Sequence, residues 1–469
     1  MDAPAIQSDS PPPEHVGPRR GRFSLFARAF SHRNYRLFFG GQSISLVGTF
    51  LTQVAIVWLV YHITGSALLL GVAGFAGQIP MFLLAPFGGV WVDRWNRQRM
   101  LVITQSLSML QSFGLGIAAM MLGAHGENGD AVVTALICLA ACQGFINAFD
   151  MPGRQAFLVE MVDRREDLAN AIALNSTMVH AARLVGPAIG GLLIHYVGPA
   201  LCFFIDGSSY VAVIAALLMM NVKPRPPREI AMSVMHDLRE GLAYIWASAP
   251  IRVLLILMAL LSLTGMPALS ILMPIFAREF GGVGNSDEML GFLMGASGLG
   301  ALIGALYLAS RKSVLGLGRL IAIAAGVFGG AIIAFALSRH LWLSLLIVPA
   351  AGFGMLISFA STNTLLQTLT ADRMRGRVMS FFAMAFVGMA PWGNLIAGIS
   401  AKYLGGGVRG ASITLLWSGS AVLVAAFTYA AFLPRLRKHI RPIYVRQGIL
   451  PQPVAEGLQT ATEAVSGAE

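Results

Sequence analysis

Apolar runs long enough to cross ~30 Å of hydrocarbon recur along this chain. They fall at 34–62, 66–92, 100–122, 131–157, 168–196, 201–221, 251–277, 288–310, 319–338, 341–369, 378–402 and 410–433. Twelve crossings predict an all-α membrane protein with both termini on one side. The longest polar interruption, 222–250, opens with prolines and continues as REIAMSVMHDLREGLAYIW. There Ile230, Val234, Leu238, Leu242 and Ile245 share a face opposite Arg239 and Glu240, which predicts an amphipathic helix along the membrane surface. It divides the chain into two six-helix bundles, 34–221 and 251–433, with a tail at 1–33 and another at 434–469. The halves echo each other: VEMVDRREDLANAI closes span four and LTADRMRGRVMS closes span ten. A Gly/Pro cluster follows in each half, GPAIGG or APWGN. Paired bundles with a weak repeat are the layout of a secondary transporter whose site lies between them.

Composition agrees with a bilayer as solvent. Hydrophobic residues make up 56% and charged residues 12%, about half the charge of a soluble domain. The formal net charge of +11 could suggest nucleic acid, but its distribution gives it another meaning. The loops after even-numbered spans and the two tails hold Arg94, Arg97, Arg99, Arg154, Arg164, Arg165, Arg311, Arg373, Arg375 and Arg377, among others. The opposite side holds Arg278, Arg339, Lys402 and Arg409. Lys and Arg accumulate in cytoplasmic loops, so the basic side is expected to be cytoplasmic, with both termini there, and nucleic-acid binding is not expected. No short apolar core with a cleavage site precedes the first span, and neither tail has periodic hydrophobicity. Cys138, Cys142 and Cys202 lie inside predicted spans with no His or further Cys to complete a metal set.

No phosphate loop, H-E-x-x-H or G-x-S-x-G occurs. An enzyme, a cofactor and a resident metal are therefore not expected, and an ion gradient must supply the energy.

Two motifs make a family visible. GGVWVDRWNRQR, 88–99, resembles the loop between helices two and three of the major facilitator superfamily, through Gly89, Asp93, Arg94, Arg97 and Arg99. Asn96 stands where that family has glycine. RLVGPAIGG, 183–191, resembles the fifth-helix motif of the superfamily's exporters, through Gly186, Pro187, Gly190 and Gly191. FINAFDMPGRQAFLVEMVDRREDLANAIALNS and DLREGLAYIW are similar to the branch of enterobactin-type siderophore exporters and macrolide-type efflux proteins. The resemblance covers about 30–435. It implies that Gly89, Asp93, Arg94 and Arg97 form a gating latch, and Arg154, near the same end of span four, is placed to join it. It also implies export of a siderophore or an amphipathic drug-like molecule by alternating access. Protons are the coupling ion it implies, although its antiporters carry R-x-x-Q-G in helix four where this chain reads Ala140-Ala141-Cys142-Gln143-Gly144.

Polar residues inside spans supply the remaining candidates, because each costs a few kcal/mol in lipid unless it faces protein or water. Gln143, Asn147, Asp150 and Arg154 fall at i, i+4, i+7 and i+11 on one face of span four, with Asp150 and Arg154 placed to pair. Gln42, Thr49 and Gln53 share a face of span one. Ser176, His180 and Arg183 share one of span five, and Asn363 and Gln367 one of span ten. These lead to a cavity lined by Arg183, His180, Gln42, Gln53, Gln143, Asn147, Asn363 and Gln367, with Asp150 and Asp206 as candidates for proton coupling. Pro187 lacks an N–H, which predicts a kink near Arg183. The glycines after it predict close approach of another helix, the glycine-rich span eight. The resulting expectation is a monomeric exporter in a bacterial inner membrane. A lipid flippase or an uptake transporter on the same fold is the alternative, and a non-transporting sensor or scaffold a more distant one.

Overall fold

The computed structural model describes residues 28–122, 128–162, 164–222, 234–282, 284–311 and 313–446. Within them, the side chains of 85–94, 165, 169, 173, 180, 183, 184, 188, 234–237, 372 and 446 lie outside the description. All regular elements among the described residues are helices. A 3₁₀ turn, Arg28–Ser31, leads into α1 (Arg33–Thr64), α2 (Ala67–Arg94), α3 (Arg97–Met120), α4 (Gly129–Leu158) and α5 (Arg165–Met219). The linker carries α6 (Val234–Ala247). The second half holds α7 (Ala249–Leu260), α8 (Met266–Ser270), α9 (Met273–Gly281), α10 (Ser286–Ser310), α11 (Leu317–Leu337) and α12 (Leu341–Leu369). It closes with α13 (Asp372–Phe386), α14 (Ala390–Tyr403) and α15 (Gly407–Arg446).

Eleven helical stretches are long and apolar enough to cross a membrane. The twelfth crossing is inside α5. Its 55 residues would extend about 80 Å as one rod, far beyond the ~30 Å of a bilayer core. The helix breaks at Gly198, whose φ of 81° and ψ of 164° leave the helical region. Glycine accepts that positive φ without a Cβ penalty, and Pro199 supplies a ready first residue for the limb that follows. Residues 165–197 and 199–219 are thus two antiparallel limbs, matching spans five and six. The backbone stays helical through Pro187, so the break expected near Arg183 lies instead at Gly198.

Two boundaries differ from the sequence reading. The last helix does not stop at 433. It continues through Pro434 and Pro442 to Arg446, because Leu433, Leu436, Ile440 and Tyr444 form a buried stripe at helical spacing. The linker helix forms, with Ile245 buried, but Leu242 of the expected apolar face is exposed and a residue of the polar face anchors it. Glu240 pairs with Arg377 at 2.6 Å and with Arg373 at 3.3 Å, both on α13. Tyr244 Oη accepts from the Ala371 amide, and Gly241 faces Phe381 and Arg377. The helix therefore belongs to the second half. Ile230 and the side chain of Val234 lie outside the described residues.

Span seven is not one continuous helix. A π turn, Leu261–Gly265, joins α7 to α8, and α9 completes the crossing. Span eleven is divided as well, between Phe386 and Ala390. The two irregularities meet: Ser262 Oγ donates to the Phe386 carbonyl at 2.5 Å. Non-helical backbone at membrane depth is tolerated where protein or a water-filled cavity satisfies it.

Candidate functional site

The halves meet along a seam of small residues. A Cβ on Gly71 of α2 would lie 2.7 Å from the Asn394 carbonyl oxygen on α14, and one on Gly398 would lie 2.8 Å from Gly71 Cα. Gly74 faces the Asn394 side chain, which is buried and accepts from Ser270 Oγ at 3.1 Å. On the other flank, a Cβ on Gly191 would meet Gly291 N at 2.8 Å and the Asp287 carbonyl at 2.9 Å, both on α10. This is the contact with span eight that the glycines predicted. Gly186 and Gly190 turn elsewhere, onto Val47, Phe50, Leu51 and Val54 of α1, since two positions four apart present one face and Gly191 another.

Ionic and aromatic contacts close one end of the molecule. His195 Nδ1 lies 3.4 Å from Asp287 Oδ2, and the Arg278 guanidinium sits 5.7 Å from the Tyr61 ring centre. Phe75 meets Trp392 edge to face at 5.2 Å. All three join the first half to the second, the first two near the turns that follow α1 and α9 and the third deeper, where α14 begins after the break in span eleven.

The polar groups of the first half gather inside it. Asp150 is buried on α4 and pairs with Arg154 one turn on. It also accepts from Thr104 Oγ1 at 2.8 Å and Gln105 Nε2 at 2.7 Å, both on α3. Gln143 donates to Ser108 Oγ at 3.2 Å and to Asn147 Oδ1 at 3.1 Å. Asp206, in the second limb of α5, accepts on Oδ2 from Thr52 of α1 and Ser112 of α3, each at 2.8 Å. The residues that sequence reasoning missed are thus on α3: Thr104, Gln105, Ser108, Gln111 and Ser112, all buried. Their spacing of i, i+1, i+4, i+7 and i+8 places them on one helical face, a signal that was present in the sequence.

Span one does not offer a single polar face to a cavity. Gln42 is buried, Thr49 bonds to the Ser45 carbonyl and lies 3.4 Å from Tyr210 Oη, and only Gln53 is exposed. They share one side of the helix, but 11 residues separate Gln42 from Gln53, about 16 Å along the axis, so they meet different neighbours. Asn363 and Gln367 stay together, with Gln367 Nε2 donating to Asn363 Oδ1 at 2.9 Å. Ser176 is exposed and bonds its own helix at the Ile172 carbonyl. The side chains of His180 and Arg183 lie outside the described residues, as do those of Asp93 and Arg94 and the surroundings of Gly89. Of the latch set, Arg97 Nη1 donates to Glu160 Oε1 at 2.5 Å, which adds a carboxylate from the end of span four that the sequence reading did not include. Asn96, in place of the family's glycine, caps α3 by accepting from the Arg99 amide at 3.0 Å.

Twelve crossings in two halves, joined by a glycine seam and with broken helices in spans seven and eleven, are the layout of a secondary transporter. The family model for transmembrane secretion effectors matches residues 24–460. The chain belongs to that family of major facilitator transporters. Its relatives include the multidrug efflux pump Tap of Mycolicibacterium fortuitum, 27% identical over 83% of this chain and 93% of that protein. The staphyloferrin A transporter of Staphylococcus aureus is 24% identical over 79% and 90%. The enterobactin exporter EntS of Shigella boydii is 27% identical over 79% and 86%. Among solved structures, a mutant form of the nucleoside transporter NupG superposes with a TM-score of 0.66, covering 86% of this chain and 99% of that one at 12% identity. That likeness speaks to the fold. A transmembrane secretion effector is a multi-pass carrier of small molecules and not an enzyme.

Proposed function

We propose that this secretion effector exports a siderophore or an amphipathic, drug-like molecule across a bacterial inner membrane, in exchange for protons and as a monomer. The observation that carries the reading is the seam. Its contacts between halves are close, small and concentrated toward one end, as a carrier that rocks its bundles about a central site requires. The excess of Arg on the other side supports an orientation with that closed end outside the cytoplasm and both termini within it. The fifth-helix motif at Gly186, Pro187, Gly190 and Gly191 and the names of an efflux and an exporting relative support outward transport. The apolar breaks around Phe386, against Phe359 and Phe382, suit a cargo with hydrophobic surface. Gln53, Gln143, Asn147, Asn363 and Gln367 are the exposed or half-buried polar groups available to orient it. His180 and Arg183 remain candidates by their place on span five, and Asp93 and Arg94 by their place in the latch loop.

Everted vesicles with an imposed pH gradient test this directly, offered a catecholate siderophore, a hydroxycarboxylate siderophore, a macrolide and a lysolipid in turn. Gradient-dependent accumulation of a siderophore or the macrolide is the expected result. Accumulation of the lysolipid alone would make the protein a flippase, and accumulation of none under a pH gradient would remove proton exchange.

A further inference from the structure

The two carboxyl groups buried in the first half have different surroundings. Asp150 has a cation, Arg154, and two further donors from α3. Each of its oxygens therefore has a partner, Oδ1 the two α3 donors and Oδ2 the guanidinium. Asp206 is 1% exposed, and among the described residues no Lys, Arg or His bonds or pairs with it. Its two hydroxyl donors, Thr52 and Ser112, both point at Oδ2, while Oδ1 has no hydrogen-bond partner. Space for Oδ1 is supplied by Gly48 of α1, where a Cβ would come within 2.6 Å of it.

A bare carboxylate oxygen with no cation is among the most costly groups to bury. A proton on Oδ1 removes the charge and leaves the two hydroxyl bonds to Oδ2 intact, since a carboxyl carbonyl still accepts. The same hydroxyls stabilise the anion when the proton leaves, so both forms have a partner structure. Asp206 also touches three elements at once, α1, α3 and α5, and α1 and α5 both contribute to the contacts between halves, at Tyr61 and at Gly191 and His195. A change of charge there bears on helices that must move.

We infer that Asp206, positioned by Thr52 and Ser112, is the group that takes up and gives back the coupled proton, and that Asp150 is a fixed ionic strut to Arg154. This rests on the proposal of proton exchange above. One proton binds Oδ1 from one side of the membrane and leaves to the other, and nothing else is consumed. Thr52 and Ser112 are positioning residues.

Infrared difference spectra of the full chain in lipid nanodiscs, titrated with pH, read proton occupancy without needing the cargo. The expected result is a protonated-carboxyl band that grows as the pH is lowered, absent in Asp206→Asn and retained in Asp150→Asn. Removing a donor leaves the anion less stabilised, so Thr52→Val or Ser112→Ala should carry the band to higher pH, and Ser112→Thr should restore it. A wild-type protein with no such band, or a band that survives Asp206→Asn, overturns the assignment. Should Asp206→Asn fail to fold, a band unmoved by both Thr52→Val and Ser112→Ala overturns it equally. Vesicles separate this failure from that of the broader reading. Wild-type vesicles that ignore a pH gradient defeat proton exchange itself, whereas a gradient-driven Asp206→Asn defeats only the role of Asp206.

Discussion

Removing one member of a buried ion pair leaves the other uncompensated, which costs about 3–5 kcal/mol in protein interiors. Asp150 is nearly inaccessible while Arg154 keeps 23% of its side chain exposed, so the two substitutions should differ. Arg154→Met is expected to lower the thermal unfolding temperature by several degrees, because it strands Asp150. Asp150→Asn leaves a partly exposed arginine and should cost less, and the double variant should recover part of the loss. Thermal unfolding in detergent measures all three. This pair was legible in the sequence, because i, i+4 on a helix fixes the neighbours without knowledge of the fold. The bond between Arg97 and Glu160 was not legible, since 63 residues separate them and only the packing of α3 against α4 brings them together. Asp206 was legible as an intramembrane acid. That Thr52 and Ser112 turn toward it was not, because Thr and Ser in a span commonly bond their own helix, as Thr49 and Ser176 do here.

Among the elements, the linker helix departs most from its sequence pattern. Hydrophobic spacing placed it on the membrane, yet Glu240 binds it to α13 through two arginines. Glu240→Ala is expected to raise amide hydrogen exchange over 234–247 several-fold while the exchange of α1 to α5 stays unchanged. Equal exchange in variant and wild type would show that Ile245 and Gly241 hold the helix unaided. Long regular spans were readable from apolar length alone. The helix breaks in spans seven and eleven were not, because a π turn of LSLTG and the split after Phe386 depend on each other through Ser262. The continuation of α15 to Arg446 was masked by two prolines, although its stripe of Leu436, Ile440 and Tyr444 was visible.

For the whole molecule, alternating access requires the closed end to part. Asp287 gathers two of the closing contacts, its carboxylate lying 3.4 Å from His195 Nδ1 and its carbonyl facing Gly191. Asp287→Ala keeps the backbone contact and removes the ionic one, so it should populate the form open at this end. Paired spin labels on the turns after α1 and α9 should then record a larger share of long distances than in the wild type. An unchanged distribution would mean that the glycine seam, Tyr61 and Arg278 suffice to hold the end shut. The glycine seam has a further consequence for speed. Where backbones touch with no side chain threaded between them, separation needs no rotamer to change and no knob to leave its hole. Such a surface sets little friction of its own. The pace of turnover then passes to what fills the opening, acyl chains at the flanks and water at the mouth, so the carrier should run faster in a more fluid membrane.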